Sequence, residues 1–157
     1  MTTIEDLKNN VLFKGLSDSD LKEVLPFCKD KTYDAGINIF TCGERGKEFF
    51  LLLEGDVKLQ IPTEKEFGIA VVFVTTGDAF GISGLLEPYT YSSTARCFKK
   101  AKVIAIEIDP FLDFISNKNI KSGFIIMKNL ASILMNRLSS TRKNLSDLVS
   151  QVQISIP

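Results

Sequence analysis

Glycine occurs at nearly every break between short apolar runs from Lys31 to Ile108, and this spacing constrains the fold most. The runs are rich in β-branched and aromatic residues, as from Phe49 to Ile61. Turn residues at this frequency are typical of antiparallel sandwiches and barrels. We therefore expect a mostly β protein, an antiparallel β-barrel or jelly roll of about eight strands over residues 31–108. Glu54-Gly55-Asp56 is expected to form a hairpin turn within it.

Helical patterns flank the predicted barrel. Ser17 precedes a short amphipathic segment and has Asp20 three residues later, which predicts an N-cap and a short helix. We expect residues 4–30 to be mainly helical and residues 109–153 to form C-terminal helices. The 157 residues are enough for one domain with its own core, so residues 1–157 are interpreted as a single domain.

The final third of the chain predicts one long helix, from about Ile120 to Val152. Its apolar residues recur in alternating steps of three and four, with Thr141 at the one polar position, as in a coiled-coil seam. We expect this seam to meet a second copy of the chain in a homodimer. The alternative is that it covers the protein's own barrel. The predicted dimer interface comprises Phe124, Met127, Leu134, Leu138, Thr141, Leu145 and Leu148.

A second apolar stripe exists only in the first half of this helix. It comprises Ile126, Leu130 and Ile133. The stripe stops at Arg137, so the first half of the helix is apolar on two faces and the second half on one. We expect the second stripe to pack on the barrel.

Composition excludes several classes of function. The 19 basic and 19 acidic residues cancel, which indicates no nucleic-acid or acidic-membrane partner, and no apolar run is long enough to span a membrane. Cys28, Cys42 and Cys97 lack a metal-binding spacing and are expected to be buried free thiols, so we expect a cytoplasmic protein. Histidine is absent, and no motif supplies a catalytic base, a nucleophile or a metal cluster, so we expect no enzymatic activity.

The stretch from Gly77 to Cys97 interrupts the strand pattern. It has a Gly-Asp turn, a short apolar helical turn with two glycines, and then small hydroxyl residues that lead into a strand. Backbone N–H groups at the start of a helical turn can bind an anion. The alternative is a connection between strands that binds no ligand.

With these residues in this order, the chain resembles the cyclic-nucleotide-binding domain family, and most of all the N-terminal half of catabolite activator-type regulators. The matching segments are LFKGLSDSDL, the glycine framework from Tyr33 to Val57, Gly77-Asp78 with Phe80-Gly81, and LASILMNRLSSTRKNL. The resemblance implies that residues 77–97 are the phosphate-binding cassette and that Thr141 reaches the base. The ligand-binding residues it implies are Phe80, Gly81, Ile82, Ser83, Gly84, Tyr91, Ser92, Ser93 and Thr141.

Two positions of this cassette depart from the family pattern. Ile82 stands where the family has a Glu that accepts the ribose 2′-hydroxyl. Tyr91, or Ser92 if the loop is one residue shorter, stands where an Arg pairs with the phosphate, and Arg96 comes too late to replace it. Losing two charged hydrogen bonds removes roughly 3–6 kcal/mol of binding free energy. We therefore expect adenosine 3′,5′-cyclic monophosphate to bind with a Kd above about 10 μM.

Three functions are consistent with these observations. The first is a non-enzymatic, homodimeric regulatory module that acts through a protein partner, with or without a small ligand such as a cyclic nucleotide; no cofactor is certain. The second is a working cyclic mono- or dinucleotide sensor with a nonstandard pocket. The third is the sensor domain of a larger transcription regulator. If Pro157 ends the gene product, the output must pass through another protein.

Overall fold

The computed structural model describes residues 1–62 and 69–154. Within them the chain forms two antiparallel four-stranded sheets, which confirms the predicted jelly roll with flanking helices. One sheet has the order β1-β8-β3-β6 and the other β2-β7-β4-β5. The strands are β1 Cys28–Tyr33, β2 Asn38–Phe40, β3 Glu48–Glu54, β4 Val57–Ile61, β5 Ile69–Val74, β6 Ala79–Phe80, β7 Thr94–Cys97 and β8 Ala101–Glu107.

The central strands β3 and β8 are apolar on both faces because each face packs against a different part of the molecule. Phe49 and Leu51 point to the side covered by the helices, and Phe50 and Leu52 point to the second sheet. All four side chains are at most 2% exposed. Successive side chains of a strand alternate between its faces, so a continuous apolar run fits a strand buried on both sides.

The turn at Glu54-Gly55-Asp56 is not a hairpin, contrary to the sequence prediction. It joins β3 of the first sheet to β4 of the second, and these strands do not pair. Gly55 has φ +104°, and a Cβ atom there would lie 2.3 Å from the Lys100 carbonyl oxygen. The turn therefore carries the chain from one sheet to the other, and the close backbone approach requires glycine.

The N-terminal part is helical, as predicted. It contains α1 Ile4–Lys8 and α2 Asp18–Val24, each followed by a short 3₁₀ turn. The Asp20 N–H donates to Ser17 Oγ at 3.2 Å and the Ser17 N–H donates to the Asp20 carboxylate at 3.0 Å, which completes the predicted cap with Asp in place of Glu. The sheet begins at Cys28, ahead of the predicted Lys31.

The C-terminal part contains α3 Ile108–Asp113, a π-helical turn over residues 114–118, and the predicted long helix, α4 Ile120–Ile154. Ile126 and Leu130 are 1% and 2% exposed, and Ile133 packs against the same core, so the second stripe faces the body of the protein as predicted. The α4 backbone includes Val152, whose side chain lies outside the described residues.

The predicted seam of α4 does not cover the protein's own barrel. All seven of its residues are exposed, with 71% of Phe124 and 60% of Leu145 open to solvent. Every described side chain from Leu138 to Gln151 is exposed as well. The second half of α4 therefore extends away from the core of the chain.

Three further expectations concern cysteines, metals and membranes. The cysteines are free thiols; Cys97 is buried, but Cys28 and Cys42 are only half-buried. Over residues 1–62 and 69–154, no three Cys, Asp or Glu side chains are placed to hold a metal ion. Among the helices in these ranges, none has both the length and the hydropathy of a membrane span.

Candidate functional site

A cavity of about 300 Å³ lies between the cassette segment, residues 77–97, and α4. Six of the residues proposed from the resemblance line it: Gly81, Ile82, Ser83, Ser92, Ser93 and Thr141. The other lining residues are Leu59, Ile61, Val72, Leu86, Leu134 and Arg137. The fold thus brings the glycine-containing turn and the hydroxyl run of the cassette segment together with one face of α4 around a single space, which is the candidate cavity.

The cassette segment contributes to the wall of the cavity through a glycine in the left-handed backbone region and a 3₁₀ turn. Strand β6 ends at Phe80, Gly81 follows with φ +72°, and the turn occupies Ile82–Leu85. A Cβ atom on Gly81 would lie 3.1 Å from the Phe40 ring, so both the positive φ and the packing favour glycine. Ser83 Oγ accepts a hydrogen bond from the Ser92 N–H at 3.1 Å, which joins the turn to the start of the hydroxyl run.

The second glycine of the turn serves packing inside the protein. A Cβ atom on Gly46 would lie 2.5 Å from Gly84 Cα, and one on Gly84 would lie 2.9 Å from Ile108 Cδ1. Gly84 is therefore required where two backbone segments touch, away from the residues that line the cavity. Phe80, also proposed as a ligand residue, is fully buried and stacks on Phe50 with ring centroids 5.2 Å apart.

Tyr91 lies in the core, behind the wall of the cavity. Its side chain is 5% exposed and its ring stacks on Phe40 with centroids 3.9 Å apart. The hydroxyl donates to the Glu48 carbonyl at 2.6 Å, and burial raises the pKa of the phenol. Tyr91 is not among the residues that line the cavity, and its stack on Phe40 holds the ring directly behind Gly81, where a Cβ atom would lie 3.4 Å from Tyr91 Cε1. Arg96 is exposed on β7, whereas Tyr91 precedes that strand and packs in the core.

Arg137 is a cavity residue that the sequence reasoning missed. Its guanidinium is half-buried and donates a hydrogen bond to the Ala79 carbonyl at the start of β6. None of the ion pairs within the described residues includes it. Burial lowers the pKa of Arg137, and the charge of Asp78 acts in the opposite direction. A guanidinium nevertheless stays protonated, so the cavity contains a cation that forms no ion pair with any residue in the ranges 1–62 and 69–154.

A sequence signal for Arg137 exists. It continues the core-facing stripe of α4 one turn beyond Ile133, and it precedes Thr141 by four residues, so that both lie on the same face of the helix. A cation at the end of an apolar stripe indicates either a long side chain reaching solvent or a charge held for a ligand. The hydrogen bond to Ala79 orients it toward the barrel.

The chemistry of the cavity is apolar with a few polar groups. Six of its twelve lining residues are aliphatic, four carry hydroxyls, one is Gly81 and one is the Arg137 cation. Among the described residues that line it, none carries a carboxylate. The Thr141 hydroxyl donates to the Arg137 carbonyl at 2.9 Å, so toward a ligand it can act as an acceptor. The site can bind and orient a small molecule, and it offers no base or nucleophile for a reaction.

A second cavity, of about 370 Å³, lies on the other flank of α4. It shares Val72, Arg137 and Thr141 with the first and adds the polar side chains of Asp78, Asn136, Ser140 and Asn144. Of the ligand residues proposed from the sequence, it includes only Thr141. The first cavity is the better candidate because six of those proposed residues line it.

Comparisons with known proteins agree with the fold described above. The family model of the cyclic nucleotide-binding domain matches residues 30–118. A solved structure from Geobacter metallireducens, described as that of a cyclic nucleotide-binding protein, superposes with a TM-score of 0.77. It is 32% identical, and the match covers 88% of this chain and 99% of that chain.

Two curated relatives are longer proteins. Glutaminase 1 of Bradyrhizobium diazoefficiens is 32% identical over 135 residues, which cover 85% of this chain and 21% of that protein. The CRP-like cAMP-activated global transcriptional regulator of Mycobacterium tuberculosis is 22% identical over 140 residues, which cover 88% of this chain and 59% of that protein. The chain thus spans about a fifth of one relative and under two thirds of the other, and the glutaminase match does not establish catalysis.

The family model covers more than half of the chain, and the Geobacter structure matches over almost its whole length. The two antiparallel four-stranded sheets and the long C-terminal helix match the jelly-roll fold of this family. The protein belongs to the cyclic nucleotide-binding domain family and is a regulatory domain homologous to CRP-like transcription regulators.

Proposed function

We propose that this protein is a non-enzymatic, homodimeric regulatory module that couples occupancy of the candidate cavity to contacts with a protein partner. The observation that carries the proposal is that residues of one helix belong both to the wall of the cavity and to the exposed seam. Leu134, Arg137 and Thr141 of α4 line the cavity, and Leu134 and Thr141 also belong to the exposed apolar seam. A ligand that contacts this wall therefore acts on the same residues that would meet a second subunit.

The exposure of the seam supports a dimer. Its large side chains are between 40% and 71% exposed, and they follow one face of a 35-residue helix. Isolated helices of fewer than about 12–15 residues are marginally stable in water, so the extended second half of α4 needs a partner for its apolar side. A second copy supplies the same stripe across a two-fold axis.

Sedimentation equilibrium over a range of protein concentrations tests the dimer. The parent should be dimeric at micromolar concentration, and Leu138→Asp should be monomeric because it places a charge in the seam. Ser139→Asp is the matched control, since it adds the same charge at an exposed position outside the seam. A monomeric parent, or a dimeric Leu138→Asp variant, would contradict the proposal.

A cyclic mono- or dinucleotide sensor is the second candidate function. The observation that favours it is Arg137, which brings a guanidinium from α4 to the cavity wall that also contains Ser92 and Ser93, whereas Arg96 of the cassette segment is not a lining residue. Isothermal titration calorimetry with adenosine 3′,5′-cyclic monophosphate separates the two. We expect a Kd above about 10 μM, because Ile82 stands where a Glu would accept the ribose hydroxyl, whereas sub-micromolar binding would establish the second function.

The cellular environment of the module and the partner that receives its signal belong to the same proposal. The free cysteines favour a reducing, cytoplasmic environment. The balanced charge disfavours direct contact with nucleic acid, so we assign the output to a protein partner. A role as the sensor part of a longer transcription regulator draws support from the Mycobacterium tuberculosis relative, whose matched region is 59% of its length.

A further inference from the structure

Exposed apolar side chains line the candidate cavity together with Arg137, the one cation among its described lining residues. Ile61, Leu86 and Leu134 are 48%, 42% and 41% exposed, and all three line the space that Arg137 faces. Leu59 and Ile82 form more deeply buried parts of the same wall. Exposed apolar side chains that converge on a concave site are typical of ligand-binding surfaces.

Arg137 gives this apolar space one strong polar anchor. The bond to the Ala79 carbonyl uses one N–H group of the guanidinium and fixes its position. A guanidinium has five N–H donors in a planar fork, which matches a carboxylate in a bidentate arrangement. Within the part of the chain that the structure describes, this half-buried cation has no ion pair, which is costly, and an anionic ligand relieves that cost.

The cavity is poorly suited to the sugar of a nucleotide. Ile82 is 5% exposed and presents an aliphatic surface from the 3₁₀ turn of the cassette segment. A ribose packed there would leave polar hydroxyls against hydrocarbon, which is unfavourable unless they find other partners. An apolar ligand body instead gains from contact with the aliphatic side chains that make up half of the lining.

We propose, on the basis of the regulatory function above, that the ligand of this cavity is a small amphipathic carboxylic acid. Its carboxylate binds the Arg137 guanidinium, and its aromatic or aliphatic body packs between Ile82, Leu86 and Leu134. The hydroxyls of Ser92 and Ser93 lie in the same wall and serve as additional donors to the carboxylate.

Matched pairs of probes test this assignment by isothermal titration calorimetry. Phenylacetate is compared with phenylacetamide and octanoate with octanol, because each pair keeps the apolar body and removes the charge. We expect at least one carboxylate to bind about tenfold or more tightly than its neutral partner and more tightly than adenosine 3′,5′-cyclic monophosphate. Equal affinity within both pairs, tighter binding of the cyclic nucleotide, or no binding of either carboxylate would overturn the proposal.

Two pairs of variants locate the binding site. Arg137→Met keeps an unbranched apolar side chain and removes the charge, so it should abolish the preference for the carboxylate; Arg142→Met, on the exposed part of the same helix, should leave it unchanged. Ile82→Glu should weaken carboxylate binding by repulsion, and Ile82→Leu should preserve it. If Arg137→Met fails to fold, the comparison of Ile82→Glu with Ile82→Leu decides whether the carboxylate binds in this cavity. A carboxylate preference that survives in Arg137→Met or Ile82→Glu would overturn the assignment.

The outcomes separate this inference from the proposed function. A parent that sediments as a dimer and binds neither carboxylate overturns the ligand class and leaves the regulatory dimer in place. A monomeric parent that binds a carboxylate through Arg137 overturns the dimer and supports the ligand class.

Discussion

The two halves of α4 have the same backbone conformation and opposite environments. From Ile120 to Arg137 the helix packs its second stripe on the core, where Ile126 and Leu130 are almost completely buried. From Leu138 to Gln151 every side chain is exposed. The apolar seam runs through both halves and is open to solvent in both. The comparison separates two roles of apolar residues on one helix: the second stripe stabilises the chain, and the seam is available to a partner.

The largest expected effect is in the first half. Leu130→Ala removes a side chain that is 2% exposed and contacts the core below α4. We expect a loss of about 2–5 kcal/mol in the free energy of unfolding, the range for truncation of a buried leucine. Urea denaturation followed by circular dichroism measures it. Met135→Ala, at a position 57% exposed and outside the seam, is the control and should change the free energy little.

A smaller effect is expected for the hydrogen bonds that hold the first half. Asn129 Nδ2 donates to the Leu12 carbonyl at 3.0 Å and to the Lys14 carbonyl at 2.8 Å, and so joins α4 to the N-terminal part. Asn129→Ala should cost about 1 kcal/mol, because water can replace part of these bonds at a half-exposed site. Asn136→Ala is the control, because Asn136 is an exposed residue of the same helix beside the second cavity. Equal losses in the two variants would show that the Asn129 bonds contribute nothing specific.

The sequence predicted the features that depend on repeated local patterns. Glycine spacing predicted the jelly roll, and the two stripes predicted which face of α4 packs on the body of the protein. The turn at Gly55 was predicted wrongly because residue types cannot tell a hairpin from a turn between sheets. Whether a turn joins two paired strands or two different sheets depends on the pairing of strands that are far apart in the sequence.

The candidate cavity was predicted only in part, for a similar physical reason. The cassette residues are contiguous in the sequence, so the resemblance found them together. Tyr91 was proposed as a ligand residue because of its position in the loop, but its stack on Phe40 depends on a strand fifty residues earlier. Arg137 was missed because its position depends on the contact between α4 and the start of β6.

The start of α4 should also respond to pH. The Ser17 hydroxyl, with further bonds from the Ser17 N–H and the Asn119 amide, holds the pKa of Asp20 below its ordinary value, and burial opposes this shift. A lowered folded-state pKa means that Asp20 stabilises the protein above its unfolded pKa, and that this contribution is lost as the pH falls through the folded value.

The pH prediction is tested by urea unfolding from pH 6 down to pH 3. Asp20→Asn should be less stable than the parent at pH 6, and the difference should shrink as the solution becomes acidic. Asp147→Asn, in the exposed half of α4, is the control and should show a difference that is small at every pH. If the difference in unfolding free energy between Asp20→Asn and the parent stayed the same at every pH, the ionisation of Asp20 would not stabilise this end of the helix.

The smallest effect on the stability of the single chain is expected in the second half of α4. Leu148 is 60% exposed, so Leu148→Ala should change the free energy of unfolding by less than about 0.5 kcal/mol at protein concentrations low enough to keep the chains apart. At high concentration the parent should gain stability by association, and Leu148→Ala should gain less, because the truncated side chain contributes less apolar contact to a second copy. Thermal unfolding at two protein concentrations measures both quantities. A large loss at low concentration would show that Leu148 packs on its own chain in solution, and the distinction between the two halves of α4 would then be lost.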